Sequence, residues 1–466
     1  MLFSSMTFLC IFLPAVIGLY FLSPIKWRNY ILLLASILFY AWGEPTYVLI
    51  MLLTIFINWG GAILIDKYTA RRKLFLVGTI LADLGILFYF KYFDFVIENI
   101  NALFHSNISF VSVIMPIGIS FYTFQAISYV VDVYRRQVDV QKSISKLALY
   151  ICLFPQLIAG PIVKYHDVAE QIEHRDETRD KIAYGTKRFI VGLAKKMLIA
   201  NTMGAVADNI FMIQATDMGI GIAWIGAIAY TLQLFYDFSG YSDMAIGLGY
   251  IFGFRFLENF NYPYISKSIT EFWRRWHISL STWFKEYLYI PLGGNRVPRA
   301  RNLLNLSLVF LATGIWHGAA WTFVFWGMWH GAFILMEKIT GIHKKVGGWA
   351  LTTFQHAYTI LAFVVGWVMF RADNMTYATK YIRVMFGMKH SDMIFHTNYF
   401  IGTYEILIFI VGILCAMPIF RNLVQLDDKS KPLTYLAKNM YLLGLFILSV
   451  AAIAASTYNP FIYFRF

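Results

Sequence analysis

Charge is scarce in this chain. Only 14% of the 466 residues are Asp, Glu, Lys or Arg, while 59% are hydrophobic and 18% aromatic; an average soluble domain has about 25% charged residues. That deficit, with a mean hydropathy of +0.60, excludes an ordinary water-soluble protein. The apolar share is enough for around ten or more bilayer spans of about 20 residues each. Cysteine is also scarce: Cys10, Cys152 and Cys415 are far apart in apolar runs, which excludes a disulfide framework and a zinc site. No HExxH, GxxxxGK[ST] or GxSxG pattern occurs, and no cysteine neighbours a histidine, so a metalloprotease, a nucleotide-driven pump, a serine hydrolase and a thiol acyl-enzyme are all disfavoured. Acidic residues number 26 against 39 basic ones, a net charge of +13. With no recognisable nucleic-acid module, nucleic acid is not a partner; the positive-inside bias of membrane proteins explains the excess.

What is present is a series of apolar stretches. They lie near 2–22, 30–42, 46–65, 74–93, 110–133, 147–163, 188–209, 219–236, 240–257, 303–316, 319–337, 350–369, 399–420 and 436–456. The first has no basic n-region and no cleavage site, and reads as a retained span. The 30–42 and 303–316 stretches are short enough for half-membrane or packed helices. Lys195 and Lys196 keep the 188–209 stretch from facing lipid at mid-bilayer. The expectation is an all-α polytopic membrane protein with about 11 transmembrane helices plus re-entrant or interfacial pieces, in one integral-membrane domain over 1–466: N-terminal spans in 1–133, a core in 134–345 and C-terminal spans in 346–466. In the early loops, Lys26, Arg28, Lys67, Arg71, Arg72, Lys73, Arg135, Arg136, Lys142 and Lys146 alternate with loops holding only Lys91, which puts the N-terminus outside. Lys164 to Arg188 mixes both signs and reads as a solvated, helical surface connection.

The most informative region runs from Ser239 to Glu337 and opens on the run around Ser239. The run Tyr236-Asp237-Phe238-Ser239-Gly240-Tyr241-Ser242-Asp243 carries groups that are costly in hydrocarbon. It reads either as a broken helix whose Asp237, Ser239 and Asp243 cap new ends, or as a substrate lining. From Ser268 to Pro291, Trp273, Trp276, Leu280, Trp283, Phe284, Tyr287 and Leu288 recur at helical spacing, with Arg274, Arg275, Lys285 and Glu286 opposite; this predicts an interfacial helix. At about 100° per residue His277 and Ser281 fall on its apolar side. His277 is a proton-handling group or a hydrogen-bonded core histidine. Residues 271–301 hold six basic groups, which suit either an anionic donor or simple topology-setting charge. Gly314-Ile315-Trp316-His317-Gly318 and Gly327-Met328-Trp329-His330-Gly331 each place glycines four apart, which alone serves helix packing. The imidazoles need a separate reason, and a near-neutral pKa suits them to taking a proton from a hydroxyl. The other seven histidines, at 105, 166, 174, 343, 356, 390 and 396, have no metal-ligand spacing.

Phe154-Pro155-Gln156-Leu157-Ile158-Ala159-Gly160-Pro161, Phe272-Trp273-Arg274-Arg275-Trp276-His277-Ile278-Ser279-Leu280-Ser281, Pro291-Leu292-Gly293-Gly294-Asn295-Arg296 and Trp316-His317-Gly318, with the terminal Tyr458 to Phe466, resemble the signatures of membrane-bound O-acyltransferases. The resemblance is to the bacterial branch of alginate and peptidoglycan O-acetylation membrane subunits, and it covers essentially the whole chain. It implies a ring of helices around a central tunnel, with His317 catalytic and His277 a second tunnel histidine nearer the donor entrance. Trp316, Trp273, Ser281, Arg274, Arg275, Asp237, Ser239, Asp243 and His330 are then candidates for the donor and tunnel lining. The implied donor substrate is acetyl-coenzyme A, with no bound cofactor and no metal. The acceptor is an extracellular polysaccharide, reached through an extracytoplasmic SGNH-type partner from a bacterial plasma membrane. A sister branch transfers D-alanine from a carrier protein to teichoic acid, and a transporter is a rival of another class.

Overall fold

The computed structural model describes residues 1–388, 395–420, 432–456 and 458–462. His390 and the terminal Tyr463 to Phe466 lie outside them. Every regular element among the described residues is helical, as hydrocarbon demands of a backbone that must satisfy its own polar groups. Among the described residues six helices are long and apolar enough to cross a membrane: Val48–Lys67, Thr69–Lys91, Arg179–Phe211, Ile220–Ile251, Trp349–Arg371 and Leu433–Ala455. The remaining apolar stretches form shorter or more polar helices, among them the 15-residue Phe8–Leu22 and the 13-residue Thr403–Cys415.

The chain divides into two compact units, Met1–Phe189 with Tyr241–Leu257, and Ile190–Gly240 with Glu258–Phe466. The first contains α1 (Leu13–Leu22), α2 (Ile25–Ala41), α3 (Val48–Lys67), α4 (Arg72–Lys91), α5 (Phe93–Phe104), α6 (Ile119–Tyr134), α7 (Ile144–Cys152), α8 (Phe154–Leu157), α9 (Tyr165–Glu173) and most of α10 (Arg179–Ala194). Buried Asp83 on α4 accepts from Asn58 Nδ2 on α3 at 2.8 Å. Beside it, a Cβ on Gly61 would meet Thr79 Oγ1 at 2.2 Å, so only glycine lets these two helices approach so closely. The polar connection between α9 and α10 is helical on both sides but only partly solvated. Glu177 accepts from Tyr20 at 2.5 Å and Arg28 at 2.8 Å, and Arg175 donates to Asn29 at 2.6 Å, which pins the connection to α1 and α2.

The second unit contains α11 (Asn201–Phe211), most of α12 (Ile220–Ile251), α13 (Ile269–Arg275), α14 (Ile278–Phe284), α15 (Arg299–His317), α16 (Trp321–Thr340), α17 (Trp349–Arg371), α18 (Met375–Met385), α19 (Thr403–Cys415) and α20 (Pro432–Ala455). Two local expectations change and a third holds. The Asp237–Asp243 run does not break its helix: α12 is continuous over 32 residues, because the side chains there find tertiary partners instead of capping new ends. The Ser268–Pro291 helix is interrupted at Trp276 and His277, where His277 takes φ of 44°. Its wheel therefore cannot be carried through, although both Trp273 and His277 are buried. Between α10 and α11 a π-helical turn, Lys195–Ala200, turns Lys196 inward to an ion pair with Asp237 at 2.6 Å. As its lysines required, the stretch does not present Lys196 to lipid.

Candidate active site

The site begins with a close crossing of α15 and α16. A Cβ on Gly327 would meet Gly314 Cα at 2.9 Å, and one on Gly314 would meet the Phe323 carbonyl at 2.5 Å. The two glycine patterns are therefore packing devices. Each carries a histidine three residues further on, and the crossing places both against one indole. His317 lies 4.8 Å from Trp326 and His330 lies 5.2 Å from it, centroid to centroid.

The contacts continue in both directions. His317 meets Trp316 at 5.0 Å and Phe370 at 5.3 Å; Trp316 lies 6.3 Å from His277; His277 sits edge-on to Phe238 of α12 at 4.6 Å. On the other side His330 meets Trp273 of α13 at 5.3 Å. The order His277, Trp316, His317, Trp326, His330, Trp273 is thus one file of touching rings. Its three histidines are 1%, 6% and 0% exposed.

His277 is held by Asn259. Asn259 Oδ1 lies 3.1 Å from His277 Nδ1 and accepts from the Ser279 backbone N–H at 3.2 Å and hydroxyl at 2.9 Å. The backbone N–H requires an oxygen opposite it, so the amide orientation is fixed and His277 Nδ1 carries the proton. Nε2 is then the basic nitrogen. Burial lowers the pKa of His277 to about 3, because charging the ring would cost its solvation; the fold favours the neutral imidazole.

Next to the file is a basic cavity of about 970 Å³. Its lining includes Arg274, Lys285, Arg296, Lys338 and Lys344 and contains no carboxylate. His330, Ile334 and Lys338 follow one another at four-residue steps, on one face of α16, and lead from the file to this cavity. Its rim includes Gly293 and Gly294, whose positive φ of 103° and 56° make the turn after Pro291. Asn302 and Asn305 hold that turn through the carbonyls of Gly294 at 2.6 Å and Leu292 at 3.1 Å, and Lys338 contacts Asn302 Oδ1. The α13 helix between cavity and file is anchored by Glu337, fully buried at the end of α16. Its carboxylate accepts from the N–H groups of Ile269 at 2.5 Å and Thr270 at 2.9 Å and from the Tyr358 hydroxyl at 2.6 Å.

Of the residues expected to line the site, His277, His317, His330, Trp273 and Trp316 are brought together, and Arg274 lines the cavity. The others have other neighbours. Ser281 donates to the Trp273 carbonyl at 3.0 Å, stapling α14 to α13. Arg275 is engaged by Glu271 at 2.9 Å and by the Asn261 carbonyl at 3.1 Å. Asp237 is neutralised by Lys196 and accepts from Ile462 N–H at 2.9 Å. Asp243 pairs with Arg188 at 2.7 Å in the first unit. Ser239 is buried on α12. Asn259, Trp326, Glu337, Lys338 and Lys344 are additional. Of these only Trp326 had a sequence signal, four residues before His330 on the same helical face. Trp329, inside the repeated pattern, points elsewhere and donates to the Ala362 carbonyl at 2.8 Å. No group of three or more His, Cys, Asp or Glu side chains among the described residues is arranged as a metal-ligand set.

A buried file of imidazoles beside a cationic cavity can remove a proton from a hydroxyl and hold an anionic reactant, which is the equipment of acyl transfer. Comparison with known proteins agrees. Residues 136–376 match the model of the membrane-bound O-acyltransferase family. The chain is 41% identical to a probable alginate O-acetylase of Azotobacter vinelandii, over all of both chains. It is 45% identical to a probable alginate O-acetylase of Pseudomonas aeruginosa, over 83% of this chain and 75% of that one, and 35% identical to a peptidoglycan O-acetyltransferase of Helicobacter pylori, over 83% and 80%. The matched segment contains all six rings of the file and the basic cavity, and the chain belongs to the membrane-bound O-acyltransferase family, as an integral-membrane acyltransferase.

Proposed function

We propose that this protein passes acetyl groups from cytoplasmic acetyl-coenzyme A across a bacterial plasma membrane for O-acetylation of an extracellular polysaccharide, an alginate-like polymer or a cell-wall glycan. The carrying observation is the continuity of the ring file from His277 to Trp273 with the cavity lined by five cations. The phosphates of coenzyme A fit that lining, since Arg and Lys are the residues that hold phosphate oxygens. The relatives named as alginate O-acetylase and peptidoglycan O-acetyltransferase support a polysaccharide acceptor. The excess of Lys and Arg in alternate early loops supports an outside N-terminus, with residues 134–345 as the catalytic core.

His317 is the general base in this reading. It takes the proton of the attacking hydroxyl, the oxygen forms a bond to the thioester carbonyl carbon, the C–S bond breaks, and the proton passes from His317 to the departing thiolate. The hydroxyl belongs to the polysaccharide or to an extracytoplasmic SGNH-type partner that completes delivery. His277, with Nδ1 committed to Asn259, presents Nε2 on the same file. Binding of radiolabelled acetyl-coenzyme A to the purified chain tests the donor. Saturable binding that an acidic acyl-carrier protein does not displace supports it; no binding of acetyl-coenzyme A, with binding of the acyl-carrier protein in its place, assigns the D-alanyl reaction instead.

A further inference from the structure

Among the side chains of the second unit with buried donors that meet no acceptor among the described residues, three are in mutual contact. His330, Trp273 and Trp326 form a triangle of ring contacts, with centroids 5.2, 5.3 and 5.7 Å apart. Both imidazole nitrogens of His330 and the indole N–H groups of Trp273 and Trp326 are sealed from solvent without a hydrogen-bond partner among the described residues. A neutral imidazole always carries one N–H, so the triangle holds three donors. Buried polar groups are rarely left unpaired, and three in mutual contact call for an acceptor that the described residues do not supply. His330 Nε2 is packed against Gly366 of α17, 2.7 Å from where a Cβ would stand. Nε2 is therefore the crowded edge of the ring, and Nδ1 is the edge assigned to the ligand.

We infer that this triangle receives the carbonyl oxygen of the donor's acyl group and stabilises the negative charge that develops on it during transfer. Trp326 belongs both to the triangle and to the contact with His317, so base and donors flank a single indole. When the hydroxyl oxygen attacks, the carbonyl π pair moves onto this oxygen, where fixed donors meet it without reorganisation. When the intermediate collapses the pair returns and the C–S bond breaks; the triangle neither gains nor loses a proton. The neighbouring rings of Phe272, Phe310 and Trp367 bring no carboxylate. A pocket of donors alone suits an acetyl group, which at this end only accepts, and opposes an aminoacyl group, whose ammonium brings further donors. The inference rests on the proposed reading that the donor is an acyl thioester of coenzyme A.

The test uses the full chain in lipid nanodiscs and two unreactive analogues of equal chain length. One is the methyl ketone in which CH₂ replaces the thioester sulfur of acetyl-coenzyme A, and the other is S-ethyl-coenzyme A, which lacks the carbonyl. Wild type is expected to bind the ketone about tenfold more tightly, the worth of one or two buried hydrogen bonds. In His330→Phe, which keeps the ring volume, the preference falls toward unity while S-ethyl-coenzyme A affinity is unchanged. A second measurement needs no variant: the ¹³C-labelled ketone C=O stretch moves to lower wavenumber on binding to wild type than in water. Equal affinity of wild type for both analogues, or a preference that survives in His330→Phe with an unshifted C=O stretch, overturns the inference and leaves the donor assignment standing. Failure of wild type to bind either analogue and coenzyme A itself overturns the donor assignment, and the inference with it.

Discussion

Asn259 Oδ1 and His277 Nδ1 are 3.1 Å apart, and the Ser279 N–H on the same oxygen decides which of the two carries the proton. The file therefore contains one histidine whose tautomer is set by a neighbour 18 positions away. Asn259→Ala removes that control and leaves the Ser279 N–H unpaired. It is predicted to lower acyl transfer by roughly ten- to a hundredfold, the rate equivalent of losing about 1–3 kcal/mol of buried hydrogen bonding. Steady-state kinetics check this: kcat should fall while donor KM changes little, because Asn259 does not line the cavity.

Lys196 and Asp237 form a buried ion pair at 2.6 Å, and we propose that its role is structural. Replacing Lys196 by Met leaves a buried carboxylate uncompensated and should cost about 3–5 kcal/mol, read as a fall in the unfolding midpoint of the detergent-solubilised protein. The double variant Lys196→Met/Asp237→Leu should recover most of that stability and retain transfer. A stable but inactive double variant would return Asp237 to the catalytic machinery.

Glu337 anchors the N-terminus of α13, which carries Trp273 into the file and Arg274 into the cavity. Glu337→Ala strands three donors, Ile269 N–H, Thr270 N–H and the Tyr358 hydroxyl, at a cost of about 1–3 kcal/mol for each unsatisfied group. Glu337→Gln keeps a carbonyl oxygen and is expected to be milder. Thermal unfolding of the two variants side by side should rank them in that order.

In the first unit, His166 Nδ1 meets buried Asp132 at 2.8 Å and its Nε2 faces Asp167 at 3.3 Å. These hydrogen bonds, Asp132 first, raise the His166 pKa from 6.5 to about 9. Because the folded value lies above the unfolded one, the pair's stabilisation is fully present below about pH 6.5 and is lost as pH rises through 9. The unfolding midpoint of wild type should fall between pH 6.5 and 9, and the part due to this pair should vanish in His166→Gln.

Much of this was legible in the sequence because it depends on composition and short spacing. Span-length apolar runs announced the membrane, the twin glycine patterns announced a close helix crossing, and Lys195 and Lys196 in an apolar stretch kept it from facing lipid. The burial of His277 was anticipated from a helical wheel that the backbone then breaks at that residue, and α12 proved unbroken where two carboxylates suggested new ends. Asn259 and Glu337 were not legible. Their partners lie 18 to 68 positions away, and a lone Asn beside a Phe or a Glu at a helix end carries no local mark of such a role. Sequence spacing is blind to contacts that tertiary packing alone creates.

In the proposed reaction the acetyl group passes to the hydroxyl that His317 deprotonates. The most direct measurement is the base-labile acyl content of surface polymers from cells expressing wild type or His317→Ala at matched protein levels, with released acetate and D-alanine quantified separately. Loss of a general base typically costs 10²–10⁴-fold, so acetate should fall to background in His317→Ala while D-alanine is unchanged. Wild-type acetate levels in that variant would contradict the account.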